Sequence, residues 1–130
     1  MVKAARKAKQ EFRTAADNLA DAIIKGLQEK KAKDIVMLDL RSLNSSVADS
    51  FIVCNGDSST QVEGLARSVE QVVEKDTGEL PEHIEGKQQA HWILMDYISV
   101  VVHIFQPDQR DYYGIERLWA DAHVREIAGN

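Results

Sequence analysis

Residues Trp92 to Trp119 read W-I-L-M-D-Y-I-S-V-V-V-H-I-F-Q-P-D-Q-R-D-Y-Y-G-I-E-R-L-W and hold both tryptophans, all three tyrosines and one of the three phenylalanines. Aromatics packed that densely build either a core or a recognition face. Trp92 to Met95 and Val100 to Phe105 are rich in β-branched and aromatic residues and are separated by a short polar break, which predicts a β-hairpin. Pro107 cannot donate to a sheet ladder and ends the second strand. Tyr112, Tyr113, Ile115, Leu118 and Trp119 recur at roughly helical spacing and predict one short, apolar-faced closing helix.

Upstream, Phe12, Ala15, Ala16, Leu19, Ala22, Ile23 and Leu27 form one face of an amphipathic helix from Phe12 to about Lys30. Asp34 to Leu40 is nearly all apolar and suits a strand buried on both faces. Ser50 to Asn55 is a second strand. The turn Gly56-Asp57-Ser58-Ser59-Thr60 caps a second helix over Ser59 to Thr77, stopped by Gly78. His83-Ile84-Glu85 forms a short edge strand, and Val124 to Asn130, with little apolar content, frays. The order helix, strand, strand, helix, short strand, hairpin, helix predicts an α/β (α+β) domain with a mixed β-sheet flanked by helices.

The chain has 130 residues, 44% of them hydrophobic, enough for one domain with a real core. Its net charge of -5 argues against a broad basic surface for naked nucleic acid and permits attraction to a basic protein. Five basic residues precede or include Arg13, so residues 1–11 form a basic lead and the rest is clearly acidic. This lead is short, richer in Lys than Arg, and runs straight into the helical pattern, which favours a cytoplasmic protein over an organelle-targeted one. One cysteine, Cys54, builds neither a disulfide framework nor a thiolate metal site. No apolar run reaches the length of a membrane span.

Candidate chemistry is sparse. The Gly-Asp-Ser-Ser turn lies where a phosphate could meet helix amides, but it lacks the glycines and lysine of a P-loop, and a plain helix cap accounts for it. Nucleotidyl transfer needs converging carboxylates on a metal. Asp34 and Asp39 are five apart and point to opposite faces of a regular strand, and Glu82 and Glu85 lie three apart in loop-like sequence. His91, His103 and Asp96 lack ligand spacing, and a histidine hydrogen-bonded among aromatics is the simpler reading of His103. Cys54 lies in an apolar run without an activating neighbour. No catalytic, cofactor-binding or metal-binding residue is assigned. Trp119 and the tyrosine pair serve equally as core residues pinning the last helix or as interface anchors. Asp96, Asp108, Asp111, Glu116 and Asp121 surround them, an acidic rim suited to a basic protein partner.

Taken together, W-I-L-M-D-Y, V-V-V-H-I-F, R-D-Y-Y and E-R-L-W-A-D-A resemble the signature of the ribosomal silencing factor family, also called Iojap. D-I-V-M-L-D-L, A-D-S-F-I-V and N-G-D-S-S-T-Q-V resemble its opening strands and the turn into its second helix. The resemblance covers about Leu19 to Ala122, within a domain expected over residues 12–122, with residues 123–130 as a C-terminal tail. It implies a nucleotidyltransferase-like core without catalytic carboxylates, and a non-enzymatic factor that binds the large ribosomal subunit through ribosomal protein fourteen. It further implies that the factor blocks association with the small subunit, represses translation in nutrient limitation, and forms homodimers in some members. The matching positions Trp92, Asp96, His103, Phe105, Arg110, Tyr112, Tyr113, Leu118 and Trp119, together with Asp111, become the expected partner-binding set. Ile98-Ser99 departs from the family's usual Gly-Asp at the hairpin tip, and Gly114 replaces a commonly polar residue, with a looser start to the last helix expected. The competing readings are a nucleotidyltransferase-like enzyme or nucleotide-binding domain, and a homodimeric scaffold.

Overall fold

The computed structural model describes residues 14–43 and 47–129; Phe12 and the basic lead lie outside them. Helix α1 (Ala15–Glu29) begins at Thr14, whose hydroxyl accepts the Asp17 N–H at 3.1 Å while the Asp17 carboxylate accepts the Thr14 N–H at 3.2 Å. Two donors without intrahelical acceptors are satisfied reciprocally. Helix α2 (Ser59–Thr77) has the predicted bounds: the Ser58 hydroxyl accepts the Gln61 N–H at 3.2 Å, and Gly78 ends the helix at φ 77. The two helices meet at Gly26, where an added Cβ would lie 3.0 Å from the Val69 Cα and where the Ser68 hydroxyl donates to the Gly26 carbonyl at 2.7 Å.

Strands β1 (Lys33–Asp39), β2 (Ser50–Asn55), β3 (His83–Glu85), β4 (Trp92–Asp96), β5 (Val100–Phe105) and β6 (His123–Glu126) form one sheet in the order β3-β4-β5-β2-β1-β6. β2 and β5 run parallel and every other pair is antiparallel. Because side chains alternate along a strand, Ile52, Cys54, Ile93, Met95, Val102 and Ile104 face one way and are buried with α1 and α2. Each such side chain contributes roughly 1.5–3 kcal/mol by leaving water. Phe51, Val53, Trp92, Leu94, Val101 and Phe105 face the other way. Among the described residues no long helix covers that second face. From the described residues it receives α3 (Pro107–Tyr113), α4 (Ile115–Leu118), Leu40, Leu43 and Ala48, and Trp119 and Ala122 just after α4.

Three expectations need correction. The closing helix is two helices, because Gly114 takes the left-handed conformation at φ 57, ending α3 and capping α4. The apolar residues therefore do not share a stripe: Ile115 is buried whereas Tyr112 and Leu118 are 81% and 77% exposed. The tail does not fray over residues 123–126, which pair with β1 through Leu38 with Val124 and Met37 with Arg125. Pairing there satisfies backbone groups that β1 would otherwise leave open, and it needs no apolar side chains. Finally, β1 is not buried throughout: Lys33 and Asp34 are exposed, and its register against β2 shifts between Lys33 and Val36.

Candidate protein-binding face

Strand register builds the site. β4 and β5 pair Trp92 with Phe105 and Leu94 with His103, so these four side chains share the sparsely covered face. The Trp92 ring stacks on Phe105 with centroids 4.9 Å apart and an interplanar angle of 27°. Its indole N–H donates to His103 Nδ1 at 3.1 Å. From the neighbouring strand Phe51 meets His103 edge-on at 4.8 Å, and Trp119 in turn meets Phe51 at 5.7 Å. Tyr113 on α3 packs against Trp92 at 4.7 Å, and Tyr112 stands edge-on to Tyr113 at 5.1 Å. The aromatic series thus climbs from a buried base, Phe105, to Tyr113 at 46% exposure and Tyr112. Preferred tilted and edge-on geometries hold each ring by the one beneath it. A cleft of about 240 Å³ beside Trp92 is lined by Gly86, Gln89, His91, Gln109 and Tyr113.

Of the ten residues expected to bind a partner, Tyr112, Tyr113, Asp111 and Leu118 are exposed, and Trp92, Asp96 and Trp119 are half-buried. His103 and Phe105 correct the expectation: both are buried and offer no surface, so they support the exposed rings. Arg110 corrects it too. Its side chain is 12% exposed, and it donates to the Asp34 carbonyl and to Asn55 Oδ1, both at 2.7 Å, and to the Glu116 carboxylate at 2.8 Å. Nε and Nη1 of its guanidinium are used inside the chain, tying α3 and α4 to β1 and β2. Asp96 lies at the far end of β4, where its carboxylate accepts the Ile98 N–H at 2.7 Å. Sequence reasoning missed Phe51 and Asn55 as supports of this face, and it placed Glu116 in the acidic rim where the structure makes it a partner of Arg110. Phe51 stood in a plain strand pattern, and nothing local signals that β2 lies beside β5.

The imidazole of His103 is neutral, because Nδ1 accepts from Trp92 and the proton therefore sits on Nε2, which has no hydrogen-bond partner. Burial pushes its pKa down from 6.5 to about 4. Charging it would place a proton on Nδ1 and break the bond to Trp92. A folded-state pKa below the unfolded one means that the unfolded chain takes up the proton first as pH falls. Stability is therefore expected to drop by roughly 3 kcal/mol between about pH 6.5 and 4. The Arg41 guanidinium beside Asp39 holds that carboxyl below its ordinary value, so its own contribution disappears only at still lower pH. Urea titrations at several pH values check this: His103→Gln, which keeps an acceptor for Trp92, flattens the slope in that window, and an unchanged slope would contradict it.

Elsewhere, groups singled out in the sequence are occupied structurally. Asp39 pairs with Arg41 at 2.8 Å, whereas Asp34 occupies the irregular start of β1, so the two carboxylates do not converge. The Asp57 carboxylate accepts from Lys33 at 2.6 Å and Ser58 caps α2, as a plain helix cap requires. Cys54 is fully buried, and burial pushes its thiol up to about 12. Among the described residues no three His, Cys, Asp or Glu side chains gather as a metal-binding group, and no helix is long and apolar enough to cross a membrane.

These features define a small α+β domain with two helices on one face of a mixed sheet and a stepped aromatic patch on the other. The chain belongs to the family described as "Ribosomal silencing factor during starvation", whose model matches residues 13–130. That match runs through β6, beyond the expected domain end at 122. Ribosomal silencing factors are among its relatives. That of Halalkalibacterium halodurans is 37% identical over 111 residues, 85% of this chain and 93% of the relative. That of Chromobacterium violaceum is 45% identical over 96 residues, 74% of this chain and 77% of the relative. A crystal structure of a Chromobacterium violaceum protein superposes with a TM-score of 0.76 at 37% identity, covering 89% of this chain and 95% of that one.

Proposed function

We propose that this protein is a cytoplasmic, non-enzymatic translation repressor that binds the large ribosomal subunit through ribosomal protein fourteen. Occupying the face that meets the small subunit, it keeps the subunits apart and lowers translation when nutrients are short. The observation that carries this reading is the aromatic step from half-buried Trp92 to exposed Tyr113 and Tyr112, with exposed Asp108 and Asp111 on the same helix as the tyrosines. Large rigid aromatics supply contact area at small entropic cost, and a carboxylate rim steers basic protein surfaces inward while repelling RNA phosphates. The names of the relatives point to the same class of action.

Sedimentation of the purified protein with separated small subunits, separated large subunits and joined ribosomes tests this. Selective binding to free large subunits is expected, with joined particles declining as protein is added. Co-sedimentation with small subunits alone, or with none of the particles across a range of salt concentrations, would refute the proposal.

A further inference from the structure

Exposed large apolar side chains gather at both ends of β4. One group is the aromatic step; the other is Val47, Leu80 and Ile98 at the hairpin tip. Backbone hydrogen bonds assemble the second group. The Asp49 N–H donates to the Ser99 carbonyl at 2.8 Å, bringing the segment that carries Val47 to the tip. The Glu82 N–H donates to the Asp96 carbonyl at 2.8 Å, bringing Leu80 to the same end.

Ile98 is the unusual member. It closes the two-residue turn at φ 73 with its side chain 65% exposed. A β-branched residue is strained in the left-handed region, where Gly or Asn fits without penalty. The turn's bond from the Ile98 N–H to Asp96 Oδ1 is made by backbone, so any residue here that carries an N–H provides it. The fold thus bears the strain without burying the side chain, a combination that points to use outside the chain.

We infer that the partner footprint centred on Trp92 and Tyr113 continues along the outer face of β4 to Ile98, and there takes apolar side chains set among basic ones on the same protein partner. This rests on the proposed ribosome-binding role. Trp92, Leu94 and Asp96 alternate onto one face and are each half-buried, so the surface is continuous. Trp92 to Ile98 spans about 20 Å of extended chain, and an ordinary interface of about 800 Å² per partner is about 30 Å across. Asp49, Glu79, Glu82 and Asp96 lie within two positions of Val47, Leu80 or Ile98 along the chain, and the Arg41 guanidinium near Asp49 is held by Asp39 and Asp17. A carboxylate-rimmed apolar tip repels RNA phosphate and also repels a second copy of itself, whereas a basic protein complements it.

The test titrates the full chain with purified large subunits, and in parallel with large-subunit RNA stripped of protein. Ile98→Gly is expected to raise the melting temperature by about 4 °C through relief of strain while weakening subunit binding about tenfold. Leu80→Ser should weaken it similarly, without the gain in stability. A more stable Ile98→Gly protein that binds as tightly as wild type overturns the inference. So does wild-type binding to stripped RNA that Ile98→Gly abolishes, or a wild-type dimer in light scattering that the substitution dissociates while subunit binding is unchanged. Wild-type failure to bind large subunits overturns the proposed function along with this inference. Binding that Tyr113→Ala removes and both tip variants leave intact overturns the inference alone.

Discussion

Tyr113→Ala is expected to weaken binding to the large subunit about 30-fold, a loss of about 2 kcal/mol, while the domain stays folded. Tyr113 is the highest ring in the aromatic series that still leans on the tryptophan below it, 4.7 Å from Trp92 and 46% exposed. It is therefore both preorganised and available, the two properties that concentrate binding energy in an interface. Its truncation removes ring pairs with Trp92, Phe105 and Tyr112, each worth about 0.5–1.5 kcal/mol and together less than the stability of an ordinary domain. Tyr112, 81% exposed and with Tyr113 as its ring contact among the described residues, should affect binding with no measurable change in melting temperature. Titration with purified large subunits gives the affinity and circular dichroism melts give the stability. A folded Tyr113→Ala protein binding within threefold of wild type would remove the aromatic step as the anchor.

Arg110→Met is expected to destabilise the protein by about 2–3 kcal/mol and to weaken subunit binding through α3, because its Nε and Nη1 donors bond inside the chain. The buried Asn55 carbonyl would lose its charged donor, and a buried acceptor left unpaired costs about 1–3 kcal/mol. Asp34 adds a second attachment. It sits at φ 51 where β1 slips register against β2, and its carbonyl is taken by Arg110. Releasing Arg110 frees the helix that carries Tyr112 and Tyr113. Glu116→Gln should cost far less, since that carboxylate is 40% exposed and water replaces its partner. Urea denaturation measures both. A loss under about 1 kcal/mol for Arg110→Met would mean that α3 is held by ring packing alone.

Local signals carried much of this in the residues themselves. Ser58 and Gly78 bracket α2 because a cap hydroxyl and a left-handed glycine act within one turn of the helix they end. The hairpin was legible from two β-rich runs around a short break, and Cys54 from its apolar neighbours. The tail strand was not, since all four residues of β6 are exposed and leave no alternation to read. The split at Gly114 was hidden because spacing shows periodicity without showing where the backbone turns left-handed.

The sequence by itself determined the elements up to Phe105, the acidic balance, the family signature and the absence of a paired Asp-x-Asp motif, all properties of neighbouring residues or of totals. Only the tertiary structure decided which aromatics are surface and which are support. Phe51 lies on β2, and its place beside His103 follows from a parallel pairing between strands some fifty positions apart, Phe51 with Val101 and Val53 with His103. Arg110 looked available in R-D-Y-Y and is instead consumed by Asp34 and Asn55 from the first half of the chain. Burial and hydrogen-bond satisfaction depend on which distant segments meet, so exposure of a side chain is fixed by packing and cannot be read from its neighbours in sequence.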